Sequence, residues 1–159
     1  MTTSDLEKAK IAFSNFNQLS GLELMNKLMR EGDQSPMAET MGLKIISVAD
    51  GEVKVSAMPL PKFYNPMMRI HGGFTATLID NCMGSAVLTK LAAATGVGTV
   101  VLNVNYIRKI DVSTGELIAT GTVLHAGRTM LTAEAKVKDK AGKLYAHGTG
   151  TFLVYPKET

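Results

Sequence analysis

The sequence predicts an α+β domain in which an antiparallel sheet of about six strands wraps around one long helix. Three observations lead there. From His71 to Gly96 the apolar residues Phe74, Leu78, Ile79, Cys82, Met83, Ala86, Val87 and Leu91 recur at helical spacing and leave almost no polar face in the middle of the helix, so the helix is buried and not laid on a surface. Short alternating segments flank it, two before and four after, divided by Gly-, Ser- and Asp-containing turns. Strands joined by tight turns are antiparallel neighbours, and a wholly apolar helix needs a sheet to cover it.

Taken in order, residues 1–35 read as an N-terminal helical extension and 36–159 as the main domain. Leu6, Ala9, Ile11, Phe13 and Phe16, then Leu22, Leu24, Met25, Leu28 and Met29, describe two short helices broken at Ser20-Gly21. From Gly42 the period shortens. Ile45 and Ser47, the turn Asp50-Gly51, and Val53, Val55 and Ala57 alternating with Glu52, Lys54 and Ser56 form a hairpin. The segment PLPKFYNP is an irregular connection, because proline removes amide donors and pushes its predecessor toward extended geometry. The helix then runs about five to six turns to near Gly96. Four strands follow in GTVVLNVNYIRK, GELIATGTVLHAG, TMLTAEAKVKD and KLYAHGTGTFLVY, the clearest alternation being Leu131, Ala133, Ala135 and Val137 against Thr132, Glu134, Lys136 and Lys138. On the first of these, Val100, Leu102, Val104 and Tyr106 read as core, which puts Thr99 on the opposite face unless the strand is bulged.

Composition narrows the function classes. The chain has 159 residues, 45% of them hydrophobic, enough for one core and too few for two domains. No apolar run approaches the ~20 residues of a membrane span, and MTTSDLEKAK lacks the basic-then-apolar order of a secretory signal, so a cytoplasmic protein is expected. The single cysteine, Cys82, has no partner for a disulfide or a zinc site and reads as a buried small hydrophobe. The net charge of +3 is scattered, not grouped in the stripe that nucleic acid requires. His125 and His147 lie on strands with no ligand partner at metal spacing. No metal or cofactor is implied.

Two features of the long helix carry chemistry. Asp80 lies in the middle of it, where an unpaired carboxylate is costly and aspartate is a mediocre helix former. Gly72 and Gly73 stand at its start, where free backbone N–H groups and the positive end of the dipole meet, and glycine lets a carbonyl oxygen approach an amide. That is the arrangement an oxyanion-type site uses. The two features are eight positions apart, ~12 Å along one helix. If both act on one carbonyl, a second copy of the chain must supply one of them, so a dimer with composite sites is expected.

The stretch NPMMRIHGGFTATLIDN from Asn65 to Asn81, with GTVVLNVNYIR after it and HAGRT from His125, resembles the PaaI-like hotdog-fold acyl-CoA thioesterases over roughly residues 40 to 155. An acidic residue nine positions after the HGG histidine and an asparagine six before it fall in register. The resemblance implies a hotdog fold and an acyl-CoA substrate. It makes Asp80 general base or nucleophile, Gly72 the amide donor to the thioester carbonyl, and Asn65 a residue that positions or polarises the same group. Thr99 would hold the carboxylate and the attacking water, and His71 would orient the loop before the helix. Gly73, Arg108, Lys109 and the Gly127-Arg128-Thr129 turn correspond to positions near the substrate and its CoA moiety. A dimer with shared sites, assembling into a homotetramer, is implied as well. Where the family usually has glycine, this chain has Met68.

Two other readings stay open at this level. One is a non-catalytic acyl-CoA binding or sensing protein of the same fold. The other is a hydratase or dehydratase of acyl thioesters, a chemistry that pairs a catalytic His with an acid in an arrangement not found here.

Overall fold

A computed structural model describes residues 7, 18–32 and 35–156. In chain order its elements are α1 (Gly21–Glu31), α2 (Pro36–Met41), β1 (Lys44–Ala49), β2 (Glu52–Ala57), α3 (Gly72–Leu88), β3 (Thr95–Tyr106), β4 (Leu117–Ala126), β5 (Met130–Asp139) and β6 (Leu144–Pro156). The six strands make one antiparallel sheet in the order β1-β2-β4-β5-β6-β3, curled around α3. This is the hotdog architecture expected from the sequence.

The sheet offers α3 a bed of small and branched residues. Val53, Val55, Ala119, Ala133, Ala135, Val137 and Ala146 are buried against Leu78, Ile79, Cys82, Met83, Ala86 and Val87. Each fully buried Leu or Ile contributes about 1.5–3 kcal/mol of apolar transfer. Glycine sets how close the helix can lie. A Cβ on Gly121 would fall 2.6 Å from the Cys82 carbonyl oxygen, and one on Gly148 would fall 2.8 Å from Ile79 Cγ2.

At the N-terminal side, Ser20 and Glu23 form a capping box that starts α1. Leu24 and Met25 are buried, and Gly21 donates its N–H to the Leu91 carbonyl at 2.9 Å. α1 thus packs against the C-terminal end of α3, where a Cβ on Gly21 would collide with the Leu88 carbonyl. Of the earlier helix expected over Leu6–Phe16, all but Glu7 lies outside the described residues. α2 was not expected, although Ser35, Pro36 and Glu39 carry a helix-start signature.

Two expectations are corrected. The central helix stops at Leu88, not near Gly96. Thr89 turns its hydroxyl onto the Ala86 carbonyl at 2.6 Å and accepts the Gly51 N–H at 2.8 Å, which closes the last turn. Thr95–Val97 then pair with Val154–Pro156, so ladder hydrogen bonds to β6 outweigh the helix propensity of the alanines.

The second correction concerns the face of β3. Its pairing with β6 slips between Thr99 and Val101, leaving Val100 as a bulged extra residue that is 57% exposed and not core. The bulge resets the alternation. Thr99 stands opposite buried Phe152, while Leu102, Val104 and Tyr106 stand opposite Gly150, Gly148 and Ala146, so all four share the helix-side face. Because β3 is the outermost strand, Leu102 and Tyr106 remain exposed there and only Val104 packs on the core.

Candidate active site

The site is built at the entry to α3. The chain arrives through a tight loop that the bridge between Tyr64 and Ile70 closes. Asn65 organises it, its Oδ1 accepting from the N–H groups of Met67 at 3.0 Å and Arg69 at 3.2 Å. Only the Asn65 Nδ2 group is left as a side-chain donor. Met68 has φ 55°, a left-handed conformation that favours glycine. The methionine therefore departs from the usual residue while the backbone keeps the geometry a glycine would adopt.

Backbone amides around the helix start are tied one after another. Ile70 N–H donates to the Ile110 carbonyl at 2.9 Å and His71 N–H to the Phe63 carbonyl at 2.8 Å. Gly73 N–H donates to His71 Nδ1 at 2.9 Å and Phe74 N–H to the His71 carbonyl at 3.0 Å. Among the described residues, the Gly72 N–H in the middle of this run has no partner. His71 is thus the N-cap of α3, and since its Nδ1 accepts, the proton of the neutral ring sits on Nε2. Gly73 spends its amide on that cap.

Eight residues along the helix, Asp80 is half-buried and accepts from the Thr99 hydroxyl at Oδ1 over 2.9 Å. Asp80 and Gly72 belong to one straight helix, so they stand ~12 Å apart within the chain. The structure brings Asp80 to Thr99, and Gly72 to His71, Gly73 and the Asn65 loop, as two separate clusters.

Cavities flank the helix start on both sides. One of about 310 Å³ is lined by Arg69, Gly72, Thr75, Tyr106, Arg108 and Lys109. It adjoins another of about 490 Å³ that shares Arg108 and Lys109 and adds Asp111, Ser113, Thr114 and Lys143. The Asp111 carboxyl is held below the usual carboxylate range by the Ser113 hydroxyl, so it stays ionised among these cations. Across the helix, Met41, Phe63, Tyr64, His71 and Thr77 line a space of about 420 Å³, and Met37, Ala76, Thr77, Asp80 and Leu102 one of about 390 Å³. Arg108 and Lys109 therefore lie beside Gly72. The Gly127-Arg128-Thr129 turn does not: it sits at the opposite end of the sheet, where Thr129 accepts from Val154 N–H.

Sequence reasoning missed Tyr106 as a site residue by assigning it to the core. Its hydroxyl donates to the Gly72 carbonyl at 3.0 Å. It also missed Met37 and Met41 on α2, which the Ser35-Pro36 start signal could have revealed. No group of His, Cys, Asp or Glu among the described residues could hold a metal ion.

A sheet wrapped around one buried helix is the hotdog fold, and the similarity to known proteins makes the chain a thioester hydrolase of that fold. A model of the thioesterase superfamily matches residues 68–146. Human acyl-coenzyme A thioesterase 13 is 32% identical over 69% of this chain and 77% of its own. A conserved protein of Pseudomonas aeruginosa superposes with a TM-score of 0.71 at 34% identity, over 76% of this chain and 94% of that one. The PaaI protein of the Escherichia coli phenylacetic acid degradation operon shares the fold, with a TM-score of 0.75 at 21% identity over 88% and 98% of the two chains. The chain belongs to the thioesterase superfamily.

Proposed function

We propose that the protein hydrolyses an acyl-CoA thioester to a free carboxylic acid and CoA, in sites shared between two subunits. The observation that carries this reading is the Gly72 amide, without a partner among the described residues and ~12 Å along the helix from the Asp80–Thr99 pair. Two further features support pairing of subunits. β3 is a sheet edge with Val100, Val101 and Leu102 exposed. The side of α3 away from the core presents Gly73, Ala76, Thr77, Asp80, Asn81 and Gly84, small or polar residues that let a second helix lie close.

In this mechanism the thioester oxygen accepts from Gly72 N–H, at the positive end of the α3 dipole, and Asn65 Nδ2 helps orient it. The partner's Asp80 either takes a proton from water that attacks the carbonyl carbon or attacks that carbon itself. The C–S bond breaks and CoA leaves as the thiolate, which is protonated in solution; where Asp80 has attacked directly, water then hydrolyses the acyl–Asp80 anhydride to the free acid and the carboxylate. Thr99 holds the carboxylate by its hydroxyl. Arg108 and Lys109 meet CoA phosphates, joined by the partner's Gly127, Arg128 and Thr129, because antiparallel pairing of two β3 edges carries that far end of one sheet toward the other subunit's helix start. Pairing of two such dimers gives a homotetramer, working in the cytoplasm. Among the described residues no helix is long and apolar enough to cross a membrane.

The test is release of CoA thiol from a panel of aryl, medium-chain and hydroxylated acyl-CoAs. Turnover of at least one is expected, and release from none of them rejects the reading. A single turnover in ¹⁸O-water bears on the two roles of Asp80: label in its carboxylate requires an acyl–Asp80 anhydride that water opens at the Asp carbon, whereas a general base leaves the protein unlabelled.

A further inference from the structure

Tyr106 is not part of the machinery described above, yet it is the residue that touches Gly72 most closely. We infer that Tyr106 is a positioning residue for the Gly72 amide, and that its hydroxyl, through the Gly72 carbonyl, sets the direction in which that N–H points.

The peptide group between Gly72 and Gly73 is clamped at both ends. Its oxygen accepts from Tyr106 Oη at 3.0 Å and its N–H donates to His71 Nδ1 at 2.9 Å. A peptide unit is planar, so two bonds on opposite edges fix its orientation. The free Gly72 N–H belongs to the preceding peptide, one φ,ψ pair away, and glycine has the widest choice of both angles. His71 N–H, bonded to Phe63 at 2.8 Å, anchors the chain on the upstream side. With both neighbours pinned, the glycine freedom that admits a substrate oxygen no longer lets the amide swing away from it.

The ring enforces the same arrangement sterically. A Cβ on residue 72 would come within 3.2 Å of Tyr106 Cζ and Oη, so Tyr106 occupies the space that any side chain there would use. Tyr106 itself is 56% exposed on an edge strand and lines the same cavity as Gly72, Arg69 and Arg108. An exposed ring with one bond to a backbone carbonyl adds little to the core. Its role is to aim the donor.

This inference rests on the reading of Gly72 as the carbonyl donor, and a double-mutant cycle separates the two. Tyr106→Phe keeps the ring and removes the hydroxyl. Gly72→Pro removes the N–H at the first helical position, after a His71 whose ψ of 137° already suits a following proline, but its Cβ presses on the Tyr106 ring. The cycle is therefore read together with an infrared shift that leaves residue 72 unchanged. Gly72→Pro is expected to lower kcat about 100-fold or more. Tyr106→Phe is expected to lower kcat about tenfold with KM within about twofold, and to cause no further loss when added to Gly72→Pro. Wild-type kcat in Tyr106→Phe, or the same tenfold loss in both backgrounds, overturns the inference. Full activity in Gly72→Pro removes the donor assignment and the inference with it.

An infrared measurement gives the same answer without the proline variant. A ketone analogue of the best substrate, with CH₂ replacing sulfur, should show a lowered carbonyl stretch when bound to wild type. In Tyr106→Phe the band should move back toward its position in water. An unshifted band in wild type removes the Gly72 reading, and an equal shift in both proteins removes the role of Tyr106.

Discussion

The hydroxyl of Thr99 donates to Oδ1 of Asp80 across 2.9 Å, a bond between strand and helix over 19 residues of sequence. It exists because one residue, Val100, bulges out of the ladder and turns Thr99 to the helix side. The bond orients the carboxylate and occupies one of its oxygens. Among the described residues the other oxygen has no bond, and in the proposed mechanism it meets water or the thioester.

Loss of the carboxylate should therefore cost far more than loss of its holder. Asp80→Asn is expected to reduce kcat by about 10³-fold with little change in KM, and Thr99→Ala by about tenfold. Steady-state kinetics on the preferred acyl-CoA checks both. Asp80→Asn turning over at the wild-type rate would remove Asp80 from the chemistry.

Shared sites predict complementation. Asp80→Asn and Gly72→Pro are each expected to be nearly inactive alone. Mixed after subunit exchange, half of the dimers carry one of each, and one of their two sites is intact, so about one quarter of wild-type activity returns. Sedimentation velocity on the mixture confirms that dimers re-form. No recovery from properly re-formed heterodimers contradicts the composite site.

Met68 holds a backbone that suits glycine, at φ 55°. Relief of the left-handed strain, ~1–2 kcal/mol, exceeds the extra flexibility that glycine adds to the unfolded chain, ~0.5–1 kcal/mol. Met68→Gly should therefore stabilise the protein by about 0.5–1 kcal/mol, read from the denaturation midpoint, with the Asn65 turn unchanged. A lower midpoint would show that the exposed methionine makes contacts worth more than the strain.

Cys82 is buried in the core, and burial pushes its thiol up to about 12. A raised value in the folded state means that the folded protein keeps its proton longer than the unfolded chain. The associated stability is complete below the ordinary thiol value of 9.0 and is lost as the pH climbs from there toward about 12. The native protein should show no thiol reactive to Ellman's reagent at neutral pH, and one per chain after denaturation. Native-state labelling at the rate of a free thiol would place Cys82 outside the core. The same protection keeps the protein from contributing signal to a CoA-release assay.

Gly121 is where sheet and helix press together, with Cys82 O 2.6 Å from the position of a Cβ. Backbone on both sides leaves nothing flexible to yield. Gly121→Ala should destabilise by about 2–3 kcal/mol, as overpacking does, and a drop in melting temperature tests it.

What the sequence determined by itself is everything that depends on period and on local chemistry. The largely apolar run from Phe74 to Val87 reads as a buried helix, the Asp50-Gly51 turn joins antiparallel strands, and Asp80 stood out because it was the one acid in that run. The His71-Gly72-Gly73 start and the ~12 Å to Asp80 followed from helix geometry, and with them the expectation of a second subunit. Tertiary structure decided what depends on a partner far along the chain. β6 imposed the bulge at Val100 and so moved Thr99 from the wrong face to the carboxylate, and it drew Thr95–Val97 out of the helix into a strand. Only the folded loop shows that Gly72 keeps its amide free while its neighbours are tied, and that Tyr106, 34 residues away, closes on its carbonyl. A period gives the face of each residue until one is added or dropped. Where that happens is set by hydrogen bonds to distant strands, and these become visible only when the chain is folded.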